Sequence, residues 1–126
     1  MSENRKTLAL ISHDGKKADM VAFALSNKEV LQKYDLVATK TTGQLLIEKC
    51  GLNVRQMLSG PLGGDAQIAG QVAEGKIEAV FFFVDPLTAN PHDPDIQGLL
   101  RICNVHNVPL ATNAGTAKYI ISAQAL

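Results

Sequence analysis

The chain has 126 residues, 12 basic and 12 acidic side chains, and a formal net charge of zero. That length predicts one domain over residues 1–126, with a core large enough to fold without a disulfide or a metal. Balanced charge argues against a nucleic-acid or anionic-membrane binder, and 5% aromatic residues with no Trp argue against a base-stacking surface.

Along the chain, apolar runs alternate with segments of helical period. Thr7–Ser12 reads as a strand. Gly15–Lys33 reads as a helix, with Met20, Val21, Phe23, Ala24 and Leu25 on one side. Asp35–Thr39 is a second strand. Thr42–Cys50 is a helix with Gly51 as its stop. Val54–Leu58 is a weaker third strand, and Asp65–Glu74 a helix closed by Gly75. Ala79–Val84 (AVFFFV) is continuous and apolar, as a strand buried on both faces would be. Pro94–His106 reads as a helix with Pro in its first turn and Asn107 after its end. Val108–Thr112 is a last short strand and Gly115–Gln124 a closing helix.

This alternation predicts an α/β protein: a single-domain, three-layer α/β/α sandwich around a five-stranded, mainly parallel sheet. Cys50 and Cys103 show neither C-x-x-C nor zinc spacing and read as buried thiols. The N-terminus lacks the apolar core of a signal peptide, and no apolar run approaches the ~20 residues of a membrane span. The expected location is the cytoplasm, away from membranes.

Ligands of open parallel sheets bind beyond the carboxyl ends of the strands. Each run here is followed there by chemistry. His13 and Asp14 follow the first, and Thr39-Lys-Thr41-Thr42-Gly43 the second. Ser59-Gly60-Pro-Leu-Gly63-Gly64-Asp65 follows the third. Asp85-Pro86 and then Pro91-His92-Asp93-Pro94-Asp95 follow the fourth, and Asn113 the fifth. The Thr-rich stretch opens a helix, where hydroxyls and first-turn amides suit either a plain N-cap or an anion cradle. It is not a Walker A loop. The Gly-rich stretch allows close backbone approach to a ligand. Asp93 reads as a cap ahead of Pro94, while His92 and Asp95 suit either a polar turn or a functional site. Two cradles, lysines, imidazoles and carboxylates on one rim suit a small phosphorylated carbonyl compound. A carboxylate can take a proton beside its carbonyl while an imidazole polarises the oxygen.

The motifs His13-Asp14, Ala38-Thr39-x-Thr41-Thr42-Gly43 and Leu58-Ser59-Gly60-Pro61-x-Gly63-Gly64-Asp65 resemble those of methylglyoxal synthases. So do Phe82-Phe83-x-Asp85-Pro86-Leu87, Pro91-His92-Asp93-Pro94-Asp95 and Val108-Pro109-x-Ala111-Thr112-Asn113, in order and over nearly the whole chain. The resemblance implies conversion of dihydroxyacetone phosphate to methylglyoxal and inorganic phosphate with no metal and no organic cofactor. It assigns Asp65 as the base, His92 to the carbonyl, and Asp95 and Asp85 as supporting carboxylates. His13 would line the same pocket, and Lys17, Thr39, Thr41, Thr42, Ser59 and Gly60 would hold the phosphate. It further implies a homohexamer, with inorganic phosphate as product and inhibitor. Lys40 departs from the pattern, since that loop position is usually Gly. Two alternatives stand beside this reading. One is a non-catalytic anion- or effector-binding regulatory module of the same fold, which would need the cradles but not Asp65, His92 and Asp95 together. The other is a metal-dependent hydrolase using His13, Asp14, Asp85 and His92.

Overall fold

The structure, a computed structural model, describes residues 5–87 and 96–122. Its elements are β1 (Thr7–Ser12), α1 (Lys17–Ser26), α2 (Lys28–Leu31), β2 (Asp35–Ala38), α3 (Lys40–Cys50) and β3 (Val54–Gln56). They continue with α4 (Gly64–Ala73), β4 (Ala79–Phe83), α5 (Ile96–Val105), β5 (Leu110–Ala111) and α6 (Ala114–Ser122), and 3-10 turns cover Asp14–Lys16 and Gly60–Leu62.

The five strands form one sheet in the order β3-β2-β1-β4-β5. Every pairing is parallel: Leu10 lies beside Ala38 of β2 on one side and Phe81 of β4 on the other. Strand geometry sends alternate side chains to opposite faces, and two separate apolar layers result. Leu8, Leu10, Ala38, Phe81 and Phe83 pack with Met20 and Phe23 of α1, Leu46 of α3 and Ile121 of α6. Ala9, Ile11, Val37, Val80 and Phe82 pack with Ile68 and Val72 of α4 and Leu99 and Cys103 of α5. Hence the strands read as unbroken apolar runs and the helices as one-sided stripes. The expected three-layer sandwich is what forms, with a sheet that is wholly parallel.

Helix ends follow the residues that stop them. Gly75 lies at φ 76° and Asn107 at φ 56°. At both, the turn closes with two backbone bonds: Lys76 N–H to Gln71 O (2.9 Å) with Gly75 N–H to Val72 O (3.0 Å), and Val108 N–H to Cys103 O (2.8 Å) with Asn107 N–H to Asn104 O (3.4 Å). These are Schellman closures, satisfying carbonyls the helix leaves open. Other boundaries moved. The single helix expected over Gly15–Lys33 is a 3-10 turn, α1 and α2. The break is at Asn27, whose side-chain amide and backbone N–H both donate to Phe23 O, at 2.8 and 3.1 Å. The helix expected from Thr42 begins at Lys40, so Lys40 is a first-turn helical residue rather than a loop residue. The third strand ends at Gln56 because Leu58 N–H turns away to the side chain of Gln67, 2.7 Å away. Helix α6 starts at Ala114, where the Asn113 side-chain oxygen accepts from Thr116 N–H (2.9 Å). The predicted start of the preceding helix at Pro94 lies outside the described residues.

Candidate active site

The chain winds outward from β1 through β2 to β3, then returns to place β4 on the other side of β1. The crevice beyond the carboxyl ends of β1 and β4 is therefore the switch point at which such sheets bind ligands. His13 leaves β1 there and Asp85 follows β4. His13 N–H donates to Phe83 O (3.0 Å), and Asp85 N–H donates to His13 Nδ1 (3.0 Å). The ring stands edge-on to Phe82, with centroids 5.3 Å apart and planes at 87°. Only 9% of the residue is exposed. With Nδ1 accepting, the proton of the imidazole is at Nε2, which makes His13 a donor on its other edge. Asp85 lies against the backbone of Gly15, where a Cβ would stand 2.2 Å from Oδ2. Its Oδ1 accepts from Leu87 N–H (3.0 Å). Lys17 forms an ion pair with Asp14 across the first turn.

Next to β1, Thr39 is the N-cap of α3, with extended φ −64° and ψ 159°, yet its side chain makes no capping hydrogen bond. The cap residue thus does not consume the amides of Lys40, Thr41 and Thr42, which favours the anion-cradle side of the sequence reading. Thr41 is exposed and Thr42 buried. Thr42 Oγ1 lies 3.0 Å from Ser12 Oγ, tying the first turn of α3 to the end of β1. Gln56 of β3 steadies the same turn from outside, donating to Lys40 O (3.0 Å).

Beyond β3 the Gly-rich segment coils on itself. Leu62 and Gly64 N–H both donate to Ser59 O, at 3.0 and 2.9 Å, and Gly63 N–H donates to Gly60 O (3.0 Å). Ser59, like Thr39, is an extended N-cap whose side chain makes no capping bond. Gly63 takes φ 101°, a conformation for which only glycine is unstrained. A Cβ on Gly64 would lie 1.7 Å from Leu58 O and 3.1 Å from Thr39 Cγ2. The two cradles therefore approach each other at Gly64 with no room for a side chain between them. Asp65 follows as the second residue of α4, half-buried.

These contacts join Asp85, His13, Ser12, Thr42, Thr39, Gly64 and Asp65 into one arc along the rim, with Ser59 and Gly60 in the adjoining turn. His92 and Asp95 lie outside the described residues. Sequence reasoning passed over Ser12, although a hydroxyl ending an apolar strand was its signal. It also passed over Gln67, which looked like any polar residue on a helix. Among the described residues no group of three or more His, Cys, Asp or Glu side chains is arranged to hold a metal ion. A cleft of about 1010 Å³ lies between α1 and α6 over Phe23 and Phe83, reaching Val84, Pro86, Thr112 and Asn113 beyond the carboxyl ends of β4 and β5. A hollow of about 590 Å³ near Arg5 and Arg55 lies by the amino ends of β1 and β2. Neither contains the cradle residues. The rim carries the polar convergence that catalysis requires, so size is the poorer guide here.

Residues 19–112 match the MGS-like domain family. The class is thus an MGS-like α/β domain. Methylglyoxal synthase of Clostridium botulinum (strain Alaska E43 / Type E3) is 59% identical over 114 residues, 90% of this chain and 96% of that one. Methylglyoxal synthase of Thermus thermophilus is 60% identical over 117 residues, 93% of each chain. The crystal structure of methylglyoxal synthase from Elizabethkingia anophelis NUHP1 superposes with a TM-score of 0.91 at 45% identity, over 94% of this chain and 78% of that one. The chain belongs to the methylglyoxal synthase family.

Proposed function

We propose that the rim binds dihydroxyacetone phosphate and eliminates its phosphate to give methylglyoxal. The observation that carries this is the close approach at Gly64, where a side chain has no room, which sets Asp65 one residue beyond the junction of two uncapped helical turns. Thr39, Thr41, Thr42, Ser59, Gly60 and Lys17 hold the phosphate dianion through amides, hydroxyls and one ammonium. The Asp65 carboxylate removes a proton from the hydroxymethyl carbon (C3). The C–H electron pair becomes the C–C double bond of an enediolate, and the carbonyl oxygen takes the negative charge. His92 faces that oxygen, and His13 lines the pocket with its Nε2–H. Asp85 and Asp95 are the supporting carboxylates. With His92 carrying the proton of the C3 hydroxyl to the C2 oxygen, the C3 oxygen electrons form the aldehyde C=O, the C2–C3 double bond shifts to C1–C2, and the C1–O bond breaks to release phosphate. The enol left behind takes a proton on carbon and becomes methylglyoxal. Nothing is oxidised or reduced overall, and in this reading His92 and His13 meet the charge on the enediolate oxygen in place of a metal or organic cofactor.

Residues 1–126 act as one domain in this reading, and the protein works in the cytoplasm as a homohexamer. Exposed Leu87, Val105 and Tyr119 supply apolar surface suited to contacts between copies. Among the described residues no helix is long and apolar enough to cross a membrane. Inorganic phosphate, as product, competes for the cradle.

The test is an assay with dihydroxyacetone phosphate in the presence of EDTA. Methylglyoxal and phosphate are expected in equal amounts. Asp65→Asn is expected to lower kcat by at least about 10²-fold, the low end for a general base. A folded protein that binds phosphate but forms no product would instead be the regulatory module.

A further inference from the structure

We infer that Ser12 is a positioning residue of the phosphate cradle, orienting the hydroxyl of Thr42 so that it donates to the bound anion. This rests on the reading of Thr39–Thr42 as that cradle.

Ser12 closes β1, and Thr42 lies in the first turn of α3, 30 residues on. Their oxygens are 3.0 Å apart, and each residue is 1% exposed. Ser12 follows the fully buried apolar run Leu8–Ile11. A hydroxyl at such a position is costly unless it is hydrogen-bonded, and Thr42 supplies the partner. Either oxygen can be the donor by geometry. Chemistry chooses between the two arrangements. A hydroxyl carries one proton and two lone pairs, while a phosphate dianion only accepts. If Thr42 donated to Ser12, its lone pairs would face the anion. If Ser12 donates to Thr42, the Thr42 proton can turn to the anion, and accepting a bond polarises the Thr42 O–H further. Anion binding therefore selects Ser12 as donor. Without the serine hydroxyl, Thr42 falls back on local acceptors such as a carbonyl one turn earlier, the usual habit of threonine in helices.

The experiment compares wild type, Ser12→Ala, Ser12→Cys, Thr42→Ala and the Ser12→Ala/Thr42→Ala double variant. The dissociation constant of inorganic phosphate is measured by calorimetry, and KM and kcat with dihydroxyacetone phosphate. Ser12→Ala is expected to raise the phosphate Kd and the KM by about 3- to 10-fold, the worth of one hydrogen bond. Its kcat is expected to move far less, because the lost contact binds substrate and transition state alike. Ser12→Cys fills the site with a slightly larger atom and a weaker donor and falls between, carrying the comparison if the alanine variant does not fold. In the Thr42→Ala background, Ser12→Ala is expected to have no further effect on phosphate. An unchanged Kd in Ser12→Ala, or an equal loss with and without the Thr42 hydroxyl, would overturn the proposal while leaving the cradle intact. Unchanged phosphate binding in Thr42→Ala would overturn it by removing Thr42 from the cradle. Methylglyoxal formation by the wild type tests the reaction separately.

Discussion

Two neighbouring glycines do different work. Gly63 is required for its backbone: φ 101° with open space around it, so a side chain there meets strain but no atom. Gly64 is required for room, since a Cβ would stand 1.7 Å from Leu58 O, a backbone atom that cannot swing aside. Gly64→Ala is accordingly expected to cost about 1–3 kcal/mol as an overpacked site. It should also push Asp65 away from the Thr39 side. A displacement near 1 Å at a reacting group can cost on the order of 10²-fold in rate. Urea denaturation and steady-state kinetics would measure both effects. Wild-type kinetics in Gly64→Ala would show that the turn does not position Asp65.

Helix starts and helix stops are built on different rules in this chain. The stops close locally, through Gly51, Gly75 and Asn107 in left-handed conformation. Two starts on the rim, at Thr39 and Ser59, leave their cap side chains without capping bonds and are held from neighbouring elements instead. Gln56 of β3 holds the start of α3 through Lys40 O, and Gln67 of α4 holds the Gly-rich turn through Leu58 N–H. Gln67→Ala removes one such hydrogen bond, a loss of about 0.5–1.5 kcal/mol confined to the loop. The expected result is roughly 2- to 10-fold faster hydrogen exchange at the Leu58 amide, with circular dichroism and global stability nearly unchanged. Unaltered exchange at Leu58 would mean the loop is held by its own internal bonds.

Across the molecule as a unit, the sheet divides the core into two layers, and each layer buries one cysteine. Cys50 packs beneath α3 and Cys103 beneath α5, both free thiols. Burial pushes both thiol pKa values up, and nearby Lys28 pulls Cys50 partly back. A raised folded pKa means that the unfolded chain ionises first. Stability is therefore complete below the unfolded thiol value of about 8.5 and falls as pH rises past it. Urea melts at neutral and alkaline pH are expected to show this loss, and a Cys50→Ala/Cys103→Ala variant to show less of it. A thiol reagent at neutral pH is expected to react slowly until denaturant is added, since the reactive form is the thiolate. Rapid labelling of the native protein would contradict the burial of both groups.

Residue order alone was enough for the layered fold, because unbroken apolar strands and one-sided helices are written in it directly. It also located the helix stops at Gly51, Gly75 and Asn107, and the polar character of every carboxyl edge, because these depend on residues a few positions apart. Which edges meet was settled only by folding in three dimensions. The bond from Asp85 to His13 joins residues 72 positions apart, and the Ser12–Thr42 pair spans 30. No local spacing encodes such contacts. The first arises because β4 returns to the far side of β1 and the second because β2 pairs with its other side, so that the ends of β1, β2 and β4 stand side by side. The same holds for Gly64, whose need for space exists only once the Leu58 carbonyl and Thr39 have folded against it.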